Sequence, residues 1–214
     1  MAVLTATAGD LSKCLTNAEG WLPAKSSVPV ALVVADGHSL RVTVTDTYTA
    51  GEATSPVESD RGTTELVEIS RSDLAELAAR ARKDGAKKTL VRLTVESDKG
   101  VILHGSVDES AAETATALQA VKPGELDGVW ETVAELFERG EENVTRLPDQ
   151  LMVNPGYLAL FNKVRPDQTG RGVDLYIGEA GKPILGKVGP NFRGLIMPMD
   201  RIKNADTLGP EGLW

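Results

Sequence analysis

The chain is poor in the side chains that carry most enzyme chemistry. Its 214 residues include two histidines, His38 and His104, and one cysteine, Cys14. Neither histidine has a second ligand at metal-site spacing, and the sequence has no phosphate-binding glycine loop, nucleophile elbow or dinucleotide fingerprint. A single cysteine excludes an intramolecular disulfide and favours a reducing compartment. We therefore predict that the protein is not an enzyme and uses no metal or cofactor.

Long hydrophobic runs are also missing. No apolar segment approaches the roughly 18 residues needed to span a bilayer, and the first residues lack a basic stretch that leads into an apolar one. Hydrophobic residues still make up 41% of the chain, which is enough to form a core. These features predict a soluble protein of the cytoplasm that has no membrane partner.

One unit occurs three times: a short alternating strand, a polar break and an amphipathic helix. The copies span residues 3–18, 65–80 and 150–165. Period-2 runs follow, joined by turn sequences such as Asp36-Gly37. The pattern predicts an α+β fold of repeated β-α-β-β-β half-units, with helices on one face of antiparallel sheets. Repetition also favours function on a shared surface over function in a single catalytic cleft.

Helix boundaries and a domain boundary are predicted from caps and composition. The predicted helices cover about residues 10–20, 70–84, 130–139 and 155–164, with N-caps at Asp10, at Ser70 or Ser72, and at Asn154. A break near residues 122–124 separates a complete domain of two half-units, 1–122, from residues 123–214. The second part is either a connector helix with a C-terminal half-unit or a degenerate second domain.

Charge is unevenly distributed along the chain. Acidic residues outnumber basic ones by 31 to 23, giving a formal net charge of −8, which disfavours a nucleic-acid partner. The segment Arg71–Lys88, however, holds six basic residues and three acidic ones. Two interpretations remain open: a solvated helix end whose cations are favoured by the helix dipole, and a basic face turned toward DNA.

Three stretches resemble the bacterial DNA polymerase III β sliding clamp family. Leu40–Asp46 is similar to a family strand that ends in Thr-Asp, and Asp127–Phe137 to the interdomain stretch that begins with Asp-Gly. Phe192–Met199 resembles the C-terminal strand that ends in Met-Pro-Met. The resemblance extends over roughly residues 1–202. One departure is Thr47-Tyr48, which stands where the family usually has Gly-His.

The resemblance implies a DNA clamp fold and a processivity factor that closes as a homo-oligomeric ring around double-stranded DNA without reading its sequence. It also implies a hydrophobic groove in which DNA polymerase and the clamp loader dock linear peptides. The implied DNA-facing residues are Arg80, Arg82, Lys83, Lys87, Lys88, Lys163 and Arg165. The implied groove residues are Thr45, Thr47, Tyr48, Ala50, Leu136, Leu195, Met197, Pro198 and Met199.

The number of units leaves the assembly open. Family members have three domains of two half-units each, whereas this chain has three clear half-units. If the helix at 130–139 is a degenerate fourth, the chain has two domains and suits a trimer. The alternative is a reduced relative, bacterial or phage-encoded, that binds replication proteins as an adaptor or decoy without encircling DNA.

Overall fold

The computed structural model describes residues 1–22, 30–35, 38–46, 48–59, 65–83, 89–107, 115–121, 128–142, 151–165, 172–179 and 181–199. Its helices are α1 (Ala8–Trp21), α2 (Arg71–Lys83), α3 (Val129–Glu142) and α4 (Pro155–Leu158), which continues into a 3₁₀ helix (Ala159–Lys163). Its strands are β1 (Ala2–Thr7), β2 (Val30–Ala35), β3 (Ser39–Thr45), β4 (Thr49–Pro56), β5 (Glu58–Ser59), β6 (Glu65–Ile69), β7 (Leu90–Glu96), β8 (Gly100–Ser106), β9 (Thr116–Leu118), β10 (Asp174–Tyr176), β11 (Ile184–Lys187) and β12 (Phe192–Ile196).

The strands form two antiparallel sheets. The first has the order β5-β1-β7-β8-β9, and the second has the order β10-β11-β12-β4-β3-β2-β6. The second sheet joins distant parts of the chain, because β12 pairs with β4 from Phe192 opposite Ala53 to Ile196 opposite Thr49. The third repeat therefore extends the sheet that the first repeat begins.

Alternation along the strands gives the second sheet two different faces. On the inner face, a row of cross-strand glycines runs from Gly51 through Gly194 to Gly186. The indole of Trp21, at the end of α1, packs on the first two, and the ring of Phe161, in the 3₁₀ helix, packs on the third. The two aromatic rings meet edge to face with centroids 4.8 Å apart. Missing Cβ atoms thus let the helices approach this sheet closely.

Helices α1, α2 and the 3₁₀ helix share one hydrophobic core with the inward residues of both sheets. Both α2 and the 3₁₀ helix contact α1. The 3₁₀ helix is joined to α1 by two hydrogen bonds of Asn17, which accepts from the Arg165 backbone N–H at 2.9 Å and donates to the Arg165 carbonyl at 3.3 Å. The three helical segments therefore form a layer on the inner face of the sheets.

The structure corrects one of the three predicted helix caps. The predicted N-cap Asp10 lies inside the first turn of α1, and the cap is Thr7, whose Oγ1 accepts the Asp10 N–H at 3.1 Å. Thr7 also donates to the Asp10 carboxylate, so the two residues bond reciprocally. The other two caps agree with the prediction: Ser70 Oγ accepts from the Asp73 N–H, and Asn154 Oδ1 accepts from the Gly156 N–H at 2.8 Å.

The third repeat departs further from its predicted form. Residues 151–154 are not a strand, and the helix is one α-helical turn followed by the 3₁₀ helix. The last strand ends at Ile196, so Met197 to Met199 follow the strand instead of closing it. Residues 200–214 lie outside the described residues.

Helix α3 lies on the opposite, outer face of the second sheet. Its Val133 and Phe137 form a separate cluster with Ala50, Leu195 and Leu185, which belong to β4, β12 and β11. Ala50 neighbours Gly51 in sequence, so it points away from α1. Helix α3 is consequently not a fourth member of the inner helical layer.

Candidate functional site

A cavity of about 600 Å³ opens on the outer face, between α3 and the junction of β4 with β12. Its size is within the usual range for ligand pockets. Most of the lining is apolar, with threonines at the margin. The lining residues are Thr45, Tyr48, Thr49, Ala50, Gly128, Val129, Thr132, Val133, Leu136, Pro183, Leu195 and Met197. We call this cavity the outer groove.

The floor of the outer groove is a row of cross-strand side chains. Ala50 lies opposite Leu195, and both line the cavity; Leu185, opposite Leu195, is fully buried and does not line it. Both central strands are already paired on each side, β4 with β3 and β12, and β12 with β4 and β11. A ligand therefore has no strand edge to extend here and has to bind through side-chain contacts.

The turn between β3 and β4 forms one margin of the groove. The Asp46 carboxylate accepts from the N–H groups of Tyr48 and Thr49 at 3.1 and 2.7 Å, and from the Thr49 hydroxyl at 2.9 Å. This turn leaves the Tyr48 side chain 62% exposed, while the Tyr48 carbonyl accepts from the Met197 N–H at 3.1 Å. Tyr48 and Met197 thus place exposed apolar surface at the mouth of the groove.

Tyr157, at the start of the third-repeat helix, interacts electrostatically with the same turn. Burial, followed by the negative charge of Asp46 and the nearby Tyr48, raises the pKa of Tyr157 above its ordinary value. The phenol is therefore held in its neutral form beside the groove margin.

Helix α3 forms the opposite wall. Val129, Val133 and Leu136 recur at i, i+4 and i+7, so they share one flank of the helix. Phe137 is fully buried beneath the helix. The guanidinium of Arg193 lies 4.6 Å from the centroid of the Phe137 ring, and the same side chain pairs with buried Glu52 at 2.9 Å. These contacts fix the C-terminal half of α3 on the sheet.

Six of the nine predicted groove residues line one cavity: Thr45, Tyr48, Ala50, Leu136, Leu195 and Met197. Pro198 and Met199 do not line it, and the Met199 N–H instead donates to the Met152 carbonyl at 2.9 Å. Thr47 lies outside the described residues. Whether a partner binds at these residues stays a prediction.

Sequence reasoning missed most of the α3 wall. It included Leu136 but not Val129, Thr132 or Val133, although Val133 and Leu136 belong to the apolar stripe of the predicted helix. It also missed Pro183, which precedes β11. The stripe was visible in the sequence, but it did not indicate which sheet face the helix covers.

Five of the seven predicted DNA-facing residues belong to the helical layer or directly follow it. Arg82 and Lys83 are exposed in the last turn of α2, and Arg80 is half-buried. Lys163 and Arg165 are exposed at the end of the third-repeat helix. Lys87 and Lys88 lie outside the described residues.

The helical layer has the opposite charge balance from the whole chain. Helices α1 and α2 with residues 155–165 carry seven basic residues (Lys13, Arg71, Arg80, Arg82, Lys83, Lys163, Arg165) and four acidic ones (Asp10, Glu19, Asp73, Glu76). On the outer face, the exposed charges of α3 are mostly acidic: Glu131, Glu135 and Glu138 against Arg139. A polyanion is thus favoured on the inner face and repelled near α3.

Two negative findings concern the described part of the chain. No group of three or more His, Cys, Asp or Glu side chains there has the geometry to hold a metal ion. Among the same residues, no helix combines the length and the apolarity needed to cross a membrane.

Cys14 is buried in α1, and the His104 ring is within hydrogen-bond distance of Thr94 Oγ1, at 3.3 Å.

Sequence comparison identifies no relatives. No family model matches the chain, and no curated protein is significantly similar to it.

Comparison with solved structures identifies the fold. The chain is similar to DNA polymerase III β subunit from Thermotoga maritima, with 12% identity and a TM-score of 0.61 over 99% of this chain and 68% of that one. It is also similar to the DNA polymerase sliding clamp from Bacillus subtilis, with 14% identity and a TM-score of 0.60 over 92% and 64% of the two chains. The sliding clamp from Pseudomonas aeruginosa bound to griselimycin gives 14% identity and a TM-score of 0.62 over 92% and 65%.

These matches confirm the predicted fold class. The chain has the fold of a DNA polymerase III β sliding clamp, in a shorter form, and spans about two thirds of the length of the clamps that it matches.

Proposed function

We propose that this protein with the sliding clamp fold acts in DNA replication, in the cytoplasm, as a clamp: it surrounds duplex DNA as a closed homo-oligomer and docks replication proteins in the outer groove. The observation that carries the proposal is that the two faces of one sheet differ in chemical character. The inner face bears the basic helical layer, and the outer face bears the apolar groove.

The inner face suits contact with the phosphate backbone without sequence readout. Its exposed basic residues, Arg82, Lys83, Lys163 and Arg165, suit charge contacts to phosphates, which carry no sequence information. Acidic residues among them keep the attraction modest, so binding stays near the non-specific range of about 10⁻⁴ to 10⁻⁶ M. Modest attraction lets a topologically closed protein slide.

The outer groove suits a short peptide with two or three apolar anchors. Apolar contacts are available from Ala50 and Leu195 on its floor, from the α3 wall, and from Met197 and Tyr48 at its mouth. Methionine adapts its thioether to anchors of different shapes, which fits a site for several partners, such as a DNA polymerase and a clamp loader.

Direct binding tests the groove. We define the test peptide as fluorescein-labelled Gly-Leu-Gly-Leu-Phe, which alternates apolar anchors with small residues, and its control as Gly-Ser-Gly-Ser-Ser. Griselimycin, which is bound to the Pseudomonas clamp, serves as a competitor. We expect the test peptide to bind in fluorescence anisotropy, the control peptide not to bind, and griselimycin to displace the bound peptide. Failure of both the peptide and griselimycin to bind would contradict the groove assignment.

A second function is favoured by a specific observation. The third repeat has no strand at 151–154, and α3 lies outside the inner helical layer, so the described chain provides three helical segments to that layer. A chain of this kind also suits an adaptor that uses the groove without encircling DNA. Two measurements separate the functions. Sedimentation equilibrium gives the oligomeric state, and a monomer indicates the adaptor. Gel filtration with DNA tests closure, because an oligomer that stays on circular DNA but is lost from linear DNA indicates the clamp.

A further inference from the structure

Helix α3 crosses the outer face as a ridge with a cavity on each flank. The outer groove lies on the flank of Val129 and Leu136. A smaller cavity of about 170 Å³ lies on the other flank, lined in part by Trp130, Ala134 and Leu66. A small roll or shift of α3 would therefore narrow one cavity and widen the other.

The N-terminal half of this ridge is tied to the sheet by a directional bond. The Trp130 indole Nε1–H donates to Oε1 of Glu68, in β6, at 2.5 Å, and both side chains are about nine-tenths buried. The two residues are 62 positions apart in the sequence. Trp130 lies on the flank of α3 that faces away from the outer groove, so the bond holds the helix from that side.

Apart from the stacking of Arg193 on Phe137 in the C-terminal half of the helix, the contacts under α3 have little directional preference. Val133 and Phe137 pack on Ala50, Leu185 and Leu195, and hydrophobic burial depends on area more than on angle. A buried hydrogen bond to a charged acceptor, in contrast, weakens steeply when its geometry changes. The rotational setting of α3 near the groove is thus expected to depend on the Trp130–Glu68 pair.

Stability alone is a poor explanation for a carboxylate at this position. Glu68 Oε2 is buried and has no hydrogen-bond partner among the described residues, so the carboxylate is desolvated in exchange for one side-chain hydrogen bond, the bond from Trp130. A buried charge of this kind costs free energy that an apolar residue would not. A carboxylate at this position is better explained by the orientation that its hydrogen bond imposes on Trp130.

We infer that Glu68 is a positioning residue of the outer groove, which acts through Trp130 to hold the α3 wall at the spacing that admits an apolar peptide. The peptide ligand in this inference rests on the proposed function of the groove. The positioning of α3 by Glu68 does not depend on that function.

Two substitutions at Glu68 test the inference in the full chain. Glu68→Gln keeps a carbonyl acceptor for the indole N–H, whereas Glu68→Ala removes it. A matched control, Val91→Ala, truncates a buried side chain in β7, in the other sheet. Methyl NOEs from Val133 to Ala50 and Leu195 report the placement of α3, anisotropy with the test peptide reports the groove, and urea unfolding reports stability.

For Glu68→Ala we expect weakened methyl NOEs across the groove floor and an affinity for the test peptide about tenfold lower. Glu68→Gln should keep the methyl NOEs and the peptide affinity close to those of the wild type. Val91→Ala should lower stability while leaving both unchanged, which separates positioning from a general loss of stability.

Unchanged NOEs in folded Glu68→Ala would overturn the inference, as would equal losses in Glu68→Ala and Val91→Ala. If the wild-type chain binds no test peptide, the proposed function of the groove fails, and the NOE comparison alone still decides whether Glu68 positions α3.

Discussion

The indole of Trp21 lies directly against the backbone of Gly194, where β12 has no side chain on its inner face. Gly194 is paired with Gly51 on β4, and the same indole covers both residues. A helix end and a strand from the third repeat are thus in contact across a surface that only glycine allows.

This contact predicts that Gly194→Ala destabilises the fold. The added Cβ would lie well inside contact distance of the Trp21 ring, which is fully buried and cannot move aside freely. Overpacking of this kind costs about 1–3 kcal/mol. Urea unfolding should show a lower midpoint for Gly194→Ala, whereas Gly172→Ala, where a Cβ meets nothing within 4 Å, should differ little from wild type. Equal midpoints for the two variants would mean that the close packing is not rigid.

The Met-Pro-Met segment offers a matched pair of variants for the groove. Met197 and Met199 are similarly exposed, at 38% and 36%, but only Met197 is among the residues that line the cavity. Met197→Asp places a charge against apolar anchors and should lower the affinity for the test peptide at least tenfold, about 1.4 kcal/mol. Met199→Asp should change it by less than threefold. Equal losses in titration calorimetry would place the peptide outside the described cavity.

The sequence predicts some helix boundaries better than others. The apolar spacing of α2 and the Ser70 cap were sufficient because local propensity and burial agree there. The start of α1 was misplaced because Thr7 and Asp10 are both good caps, and their reciprocal bond is visible only in three dimensions.

The outer groove was only partly predictable from sequence patterns. Ala50 and Leu195 were included by resemblance, and they do lie opposite each other in the sheet. Val133 was missed because the period of a helix predicts that it has an apolar side, not which face of which sheet receives that side. The choice of face follows from the glycine row, which leaves the inner side to Trp21 and Phe161.

Charge reversal on the helical layer should weaken DNA binding. Arg82→Glu with Lys83→Glu reverses two exposed charges at the end of α2. Loss of two phosphate contacts reduces the slope of log affinity against log salt by about 2. Arg139→Glu with Lys182→Glu, two exposed residues outside the helical layer, is the control for net charge and should leave that slope nearly unchanged. A similar change in both double variants would indicate that α2 does not face DNA.

Alkaline titration should reveal the environment of Tyr157. Its pKa in the folded state is raised above 10.0, mainly by burial, so the folded protein resists ionisation of this phenol. Its contribution to stability is therefore constant below pH 10 and is lost as the pH rises through the folded pKa. The stability of the wild type should fall relative to Tyr157→Phe above pH 10, and the ring carbons of Tyr157 should titrate late in NMR. Titration at the ordinary value would mean that the phenol is solvated.

We expect the partly buried ion pair of Arg193 with Glu52 to show a favourable coupling free energy in unfolding. Glu52 is buried, and its carboxylate bonds to Arg193 Nε at 2.9 Å and accepts from Thr43 Oγ1 at 3.4 Å. Arg193→Met leaves that charge without its cation and should cost about 3 kcal/mol. The double variant Glu52→Gln with Arg193→Met should recover most of the loss, because Gln carries no charge and Met still covers the Phe137 ring. A double-mutant cycle by urea unfolding measures the coupling. Additive losses would show that Arg193 stabilises α3 through its stacking on Phe137 and not through Glu52.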